Sequence, residues 1–117
     1  MSTLLHICDA QDIATMIPYL VREITYNSFQ VQTILSTNPK AILADYHATT
    51  PVSVVMIEHP HDISQIIQQV QSHRDLATAK LLIITGRPTQ YQGLMSDMVY
   101  IGDKLDRLPM LRTLLSD

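Results

Sequence analysis

The residues best suited to chemistry fall in four short groups. Cys8-Asp9-Ala10-Gln11-Asp12, Glu58-His59-Pro60 and Thr85-Gly86-Arg87 each close an apolar run, and a lone Lys104 follows a fourth. Carboxylates, a thiol, a hydroxyl and an amine form a binding site only if they meet in space. They meet if the apolar runs are parallel buried strands, because the carboxyl ends of such strands form the ligand-binding edge of an open α/β sheet.

Other chemistry-bearing residues have blander readings. Cys8 after a first strand suggests a phosphocysteine, but such sites need a loop of backbone donors. Asp9-Ala10-Gln11-Asp12 is acidic and would repel phosphate, so Cys8 reads as an inert small core residue. His59-Pro60-His61-Asp62 resembles a metal tract. Without a third placed ligand, however, its histidines read as solvated side chains. His6 sits within an apolar run and reads as a hydrogen-bonded core histidine. Met16, Met56, Met95, Met98 and Met110 read as core and interface filler.

The elements that position these groups follow from periodicity. The strands read near residues 4–8, 29–35, 52–57, 81–85 and 98–102. Val52 to Ile57 and Leu81 to Ile84 are almost continuously apolar, as in central strands covered on both faces. Phe29 to Leu35 begins by alternating apolar with polar, the pattern of an edge strand with one wet face. Ile13, Met16, Ile17, Leu20, Val21 and Ile24 recur at helical spacing, with Asp12 as the expected N-cap and Pro18 as an expected kink on the solvent side. Asn38-Pro39 opens a second helix, expected to run to about Ala48. Ile63, Ile66, Ile67 and Val70 mark a third. Pro88 to Met98 has room only for a short helix, and Leu108, Leu111, Leu114 and Leu115 mark the last. Alternating strands and helices imply a mostly parallel α/β sheet with right-handed crossovers. The edge-like second strand suggests the order 2-1-3-4-5.

Composition sets the bounds. A chain of 117 residues, 46% hydrophobic and 16% charged, can fill one core, so residues 1–117 read as a single domain. The net charge of -3 is scattered, which argues against a nucleic-acid-binding stripe. Apolar runs fall short of the roughly 20 residues a membrane span needs, and no secretory signal is visible. One cysteine excludes an internal disulfide and fits a cytoplasmic setting. The expectation is a protein that binds neither nucleic acid nor membrane and carries no cofactor or metal.

Taken in order, the four groups resemble the receiver domain of two-component response regulators over essentially the whole chain. The resemblance implies a flavodoxin-like three-layer fold. In that family an acidic pair after the first strand helps bind Mg²⁺, an aspartate ending the third strand accepts the phosphoryl group, a Thr or Ser ends the fourth strand, and a lysine ends the fifth. Asp9 fills the second acidic place, Thr85 the switch place and Lys104 the lysine place. Cys8 stands where the first acid belongs, Glu58 stands at the phosphoacceptor place, and Leu105 replaces the proline expected after the lysine.

Those departures shape the expected function. A thiol is a poor Mg²⁺ ligand, and the extra methylene of Glu58 carries its carboxylate about 1.5 Å further out. Phosphoryl transfer needs both positioning and metal charge at once. The sequence therefore reads as a degenerate receiver, not an enzyme and not phosphorylated in the usual way, with Glu58 pairing with Lys104 or bonding Thr85 as a partial charge mimic. Asp9, Thr85 and Lys104 remain either a retained switch or polar residues at a wet strand edge. The module would bind protein partners in a signalling pathway, and form a homodimer, through the face made by the fourth helix, fifth strand and fifth helix that receivers commonly use. Two rivals stay open. One is a receiver that is phosphorylated. The other is a flavodoxin-like phosphotransfer or small-molecule-binding protein, which needs a phosphate-cradling loop that Gly86, Gly93 and Gly102 do not make.

Overall fold

The computed structural model describes residues 2–116. Five strands and their crossovers alternate along the chain: β1 (Ser2–Cys8), α1 (Gln11–Thr25), β2 (Phe29–Leu35), α2 (Pro39–Asp45), β3 (Val52–Glu58), α3 (Ile63–Ser72), β4 (Lys80–Ile84), a 3-10 helix (Pro88–Leu94), β5 (Val99–Gly102) and α4 (Arg107–Leu115). All sheet pairings are parallel, and the order is β2-β1-β3-β4-β5, as the apolar patterning predicts. The fold is an α/β sandwich of the flavodoxin-like kind.

The sheet has a core on each face because its central strands carry apolar side chains at both parities. Leu5, Ile7, Val55, Ile57, Leu81 and Ile83 pack against Leu43 of α2 and Ile63, Ile66 and Val70 of α3. On the other face Leu4, Val54, Met56, Leu82 and Ile84 meet Ile17 and Val21 of α1 and Leu111, Leu114 and Leu115 of α4. Polar contacts also tie α2 to α3 and the turn before it. Lys40 of α2 bonds Asp62 at 2.7 Å and Gln65 at 2.8 Å, and Gln69 donates to the Lys40 carbonyl.

Several local expectations shift. The helix α1 begins at Gln11 after an extended Ala10, so Asp12 lies in its first turn rather than capping it. Pro18 sits inside α1 without ending it. It is half-buried, beside the stripe of Ala14, Ile17, Val21 and Thr25 and next to β2, rather than on the solvent side as expected. Met16, assigned to the apolar face, is 38% exposed, and Met95 is also exposed. Asn38 does cap α2, its side chain accepting from the Ala41 N–H. That helix ends at Asp45 rather than Ala48, because Tyr46 turns extended to bury its ring and to donate its hydroxyl to Gln32. The crossover between β4 and β5 is a single 3-10 helix with no buried residue. No helix among the described residues is long and apolar enough to cross a membrane.

Candidate functional site

The unusual chemistry of the sheet lies under α1 and α4, not in the open. Glu58 ends β3 at the parity of Val54 and Met56, so its side chain joins their face. His6 on β1 lies beside Met56 in register and shares that face. Arg107 opens α4 and points inward from above the sheet. One Glu58 carboxylate oxygen accepts from His6 Nε2 at 2.5 Å, and the other accepts from Arg107 Nη2. All three are secluded: the side chains of His6, Glu58 and Arg107 are 0%, 3% and 10% exposed.

Three ionisable groups in so dry a place must satisfy one another. Burial alone pushes the Glu58 carboxyl up. The hydrogen bond and charge of His6, together with those of Arg107, outweigh it and hold the group below its ordinary value. The carboxylate fixes which His6 nitrogen carries a proton, since Nε2 must donate. Three atoms at the margin of the cluster lack a protein partner: His6 Nδ1, Arg107 Nε and Thr33 Oγ1. Thr33 sits directly across from His6 in the β1–β2 register. A polar row therefore runs from β2 through β1 and β3 to α4.

The carboxyl edge of the sheet carries a separate, open cleft of about 340 Å³, lined by His59, Thr85, Gly86, Asp103, Lys104 and Leu105. Thr85 follows β4 directly. Its N–H donates to the Gly102 carbonyl, and its Oγ1 accepts from the Arg87 N–H at 3.4 Å. His59 turns the chain in the left-handed region, with φ 54°, and its N–H donates to the Ile84 carbonyl. Asp103 caps the following turn by accepting from the Leu105 and Asp106 N–H groups.

Of the four polar groups, the structure brings Thr85 and Lys104 into this cleft. It leaves out Asp9, which is exposed at the end of β1, and Glu58, which is turned into the core. The expected Glu58–Lys104 pair does not form. Lys104 lies two residues beyond the end of β5 and is exposed, while Arg107 is placed by α4 directly over the β3 end. Nor does Glu58 bond Thr85. Cys8 is buried, its thiol directed to the Ala10 carbonyl at 3.7 Å, and desolvation pushes it up despite that bond. His61 and Asp62 line a different concavity, and Asp62 is engaged by Lys40.

The Mg²⁺ that the resemblance implies does not fit these residues. It requires several oxygen ligands converging at about 2.0–2.1 Å. Here one candidate oxygen donor is outside, one is spent on His6 and Arg107, and the third position is a buried thiol. Among the described residues no three His, Cys, Asp or Glu gather as a metal group.

Arg107 is the functional-looking residue that the sequence reading passed over. Its signal was present. Arg107, Leu111, Leu114 and Leu115 fall at i, i+4, i+7 and i+8, so a cation occupies the first place on the buried stripe of α4. Two further ionisable residues at core parity, His6 and Glu58, supply its partners.

No protein-family model and no curated protein matches this sequence. Among solved structures, the fold is similar to that of a sensor protein from Polaromonas sp. JS666, with a TM-score of 0.70. The similarity covers 98% of this chain and 93% of that one, at 13% sequence identity. At that identity the likeness is one of fold.

Proposed function

We propose that this chain is a receiver-like signalling module that acts by binding a protein partner and does not run a phosphorylation cycle. The observation that carries this reading is the state of Glu58. The residue at the phosphoacceptor place has both carboxylate oxygens engaged, by His6 and by Arg107, and its side chain is 3% exposed. A phosphodonor needs in-line access to a free carboxylate oxygen and a metal to neutralise charge. Glu58 offers no free carboxylate oxygen. The open cleft retains Thr85 and Lys104, and its lining carboxylate, Asp103, is engaged by the Leu105 and Asp106 N–H groups.

The partner would meet the side of the molecule formed by the 3-10 helix, β5 and α4. Leu94, Met95 and Leu105 are exposed there, which suits a protein surface better than a catalytic one. The supporting resemblance to receivers rests on order and position of motifs, and the fold agrees with it.

The test is incubation of the chain with acetyl phosphate and Mg²⁺, read by intact mass. The expected result is no mass gain, and no change in thermal midpoint on adding beryllofluoride with Mg²⁺. A stoichiometric, base-labile gain of one phosphoryl group would overturn the reading and favour a receiver that is phosphorylated.

A further inference from the structure

We propose that β2 is a self-association edge, through which two copies of this chain pair antiparallel into one continuous sheet. β2 closes one end of the sheet and is hydrogen-bonded to β1 alone. It is seven residues long, FQVQTIL, with no charge, no proline and no irregularity in its register with β1. Exposed edges of that kind invite pairing, and proteins ordinarily blunt them with charge, proline, bulges or brevity. The opposite edge follows that custom: β5 has four residues, ends in glycine and is followed by Asp103 and Lys104.

The backbone fixes which pairing is available. The Ser36 N–H donates to the Cys8 carbonyl at 2.8 Å. In a parallel ladder this alternation turns the even-numbered residues of β2 toward β1. The N–H and C=O groups of Phe29, Val31, Thr33 and Leu35 therefore point outward. An antiparallel mate centred on Gln32 sets Val31 opposite Thr33 and Phe29 opposite Leu35. Every pair of outward-facing residues is then a hydrogen-bonded pair, and Gln32 meets its own copy at a non-hydrogen-bonded site. The strand is thus complementary to itself about a twofold axis.

Side chains agree with this register. Leu35 is 50% exposed. On the same face, at the other end of the strand, a concavity of about 340 Å³ is lined by Pro18, Arg22, Asn27, Phe29, Gln30 and Val31. The pairing brings the Leu35 of one copy beside Phe29 of the other, at the mouth of that concavity, and the twofold repeats the contact. Charge is complementary too. Arg22 has no ion pair among the described residues. The strand end that approaches it in the mate lies beside exposed Asp9, through the Ser36–Cys8 bond. The occupant that fits this edge is a second copy.

Sedimentation equilibrium of the full chain tests it. The wild type is expected to dimerise with a dissociation constant between about 1 and about 100 µM, in keeping with an interface at the small end. Leu35→Lys removes the apolar knob and sets a cation against Arg22, and should weaken association at least about tenfold. Arg22→Glu combined with Leu35→Lys should recover it. Gln32→Cys places thiols on the twofold, at a spacing non-hydrogen-bonded antiparallel pairs allow for a disulfide, and should give a covalent dimer under mild oxidation. A wild type that stays monomeric at about 1 mM overturns the proposal. So does a dimer that does not respond to Leu35→Lys and whose Gln32→Cys variant forms no disulfide across the twofold. Should Leu35→Lys fail to fold by circular dichroism, the crosslink decides the matter.

Discussion

Replacing Arg107 with methionine tests the buried cluster most directly. The methionine keeps much of the aliphatic stem against Leu111 and removes the guanidinium. Glu58, with a side chain 3% exposed, then keeps His6 as its remaining hydrogen-bond partner. Breaking a buried ion pair from one side typically costs about 3–5 kcal/mol, because the surviving charge is stranded. Whole domains of this kind are stable by only about 5–15 kcal/mol. Unfolding entropy of about 2.1 cal/mol/K per residue gives about 0.25 kcal/mol/K for 117 residues. The thermal midpoint of Arg107→Met should therefore fall by about 12–20 °C. The partner change, Glu58→Leu, should cost a similar amount by stranding Arg107. The double variant should cost clearly less than the sum, since neither Glu58 nor Arg107 is left as a stranded charge, and His6 loses one hydrogen bond, worth about 1 kcal/mol. Urea unfolding of the four proteins closes the cycle. Lys104→Met is the control, and should lie within about 0.5 kcal/mol of wild type, as exposed substitutions do. A loss under about 1 kcal/mol for Arg107→Met, or a double variant equal to the sum of the singles, would refute the reading of Glu58 as an internally paired acceptor place.

Three further outcomes follow from the same geometry. Glu58 is held below its ordinary value of 4.5 in the folded chain. Its contribution is therefore complete above that value and is lost as pH falls through the lowered one, so unfolding measured from pH 5 to pH 2 should show an acid slope that Glu58→Gln lacks, of at most about 1.4 kcal/mol per pH unit. Gly102→Ala should destabilise by about 1–3 kcal/mol in urea, because a Cβ there would stand 2.7 Å from the Asp106 Cβ and 2.9 Å from the Met110 sulfur. Cys8, buried and raised by desolvation, should resist iodoacetamide at neutral pH in the native chain and react within minutes in strong urea, read by mass.

The layers of the fold were legible because burial on two faces leaves a plain mark. Val52 to Ile57 and Leu81 to Ile84 have almost no polar alternation, so they had to be central, while the glutamines of β2 had to face water at an edge. Element ends were harder to read, since they depend on single side chains finding distant partners. The α2 helix stops early for the sake of a Tyr46–Gln32 hydrogen bond, and nothing local announces that contact. The site shows the same division. Glu58 draws attention by its place at the end of β3, but it was expected at the edge with Lys104 and lies instead in the core. Its partner was not identifiable, because Lys104 and Arg107 are three residues apart and the choice between them rests on helix phase. Only the register of α4 shows that Arg107 shares a stripe with Leu111, Leu114 and Leu115 and must go inward, while Lys104 stays in the turn before the helix.

That helix phase has a consequence for how such a module could respond to a partner. The first turn of α4 is held to the sheet at two points of different kind. One is the Arg107–Glu58 pair, which is polar and directional. The other is the close approach at Gly102, where Asp106 and Met110 pack against bare backbone, and where the Asp106 carboxylate also accepts from the Asp103 N–H at 2.9 Å. Both lie at the amino end of α4, whereas its far end is held by the apolar contacts of Leu114 and Leu115. Moving the amino end outward requires breaking a buried ion pair and stranding Glu58 against His6. Sliding the helix along its axis would instead drive a side chain into the Gly102 gap. A partner that docked on β5 and α4, as proposed, would meet a helix end held at both of these points. In a phosphorylated receiver the charge that rearranges this region arrives from outside. Here the cation that faces Glu58 is built into the helix itself, which is what the proposed unphosphorylated module would require.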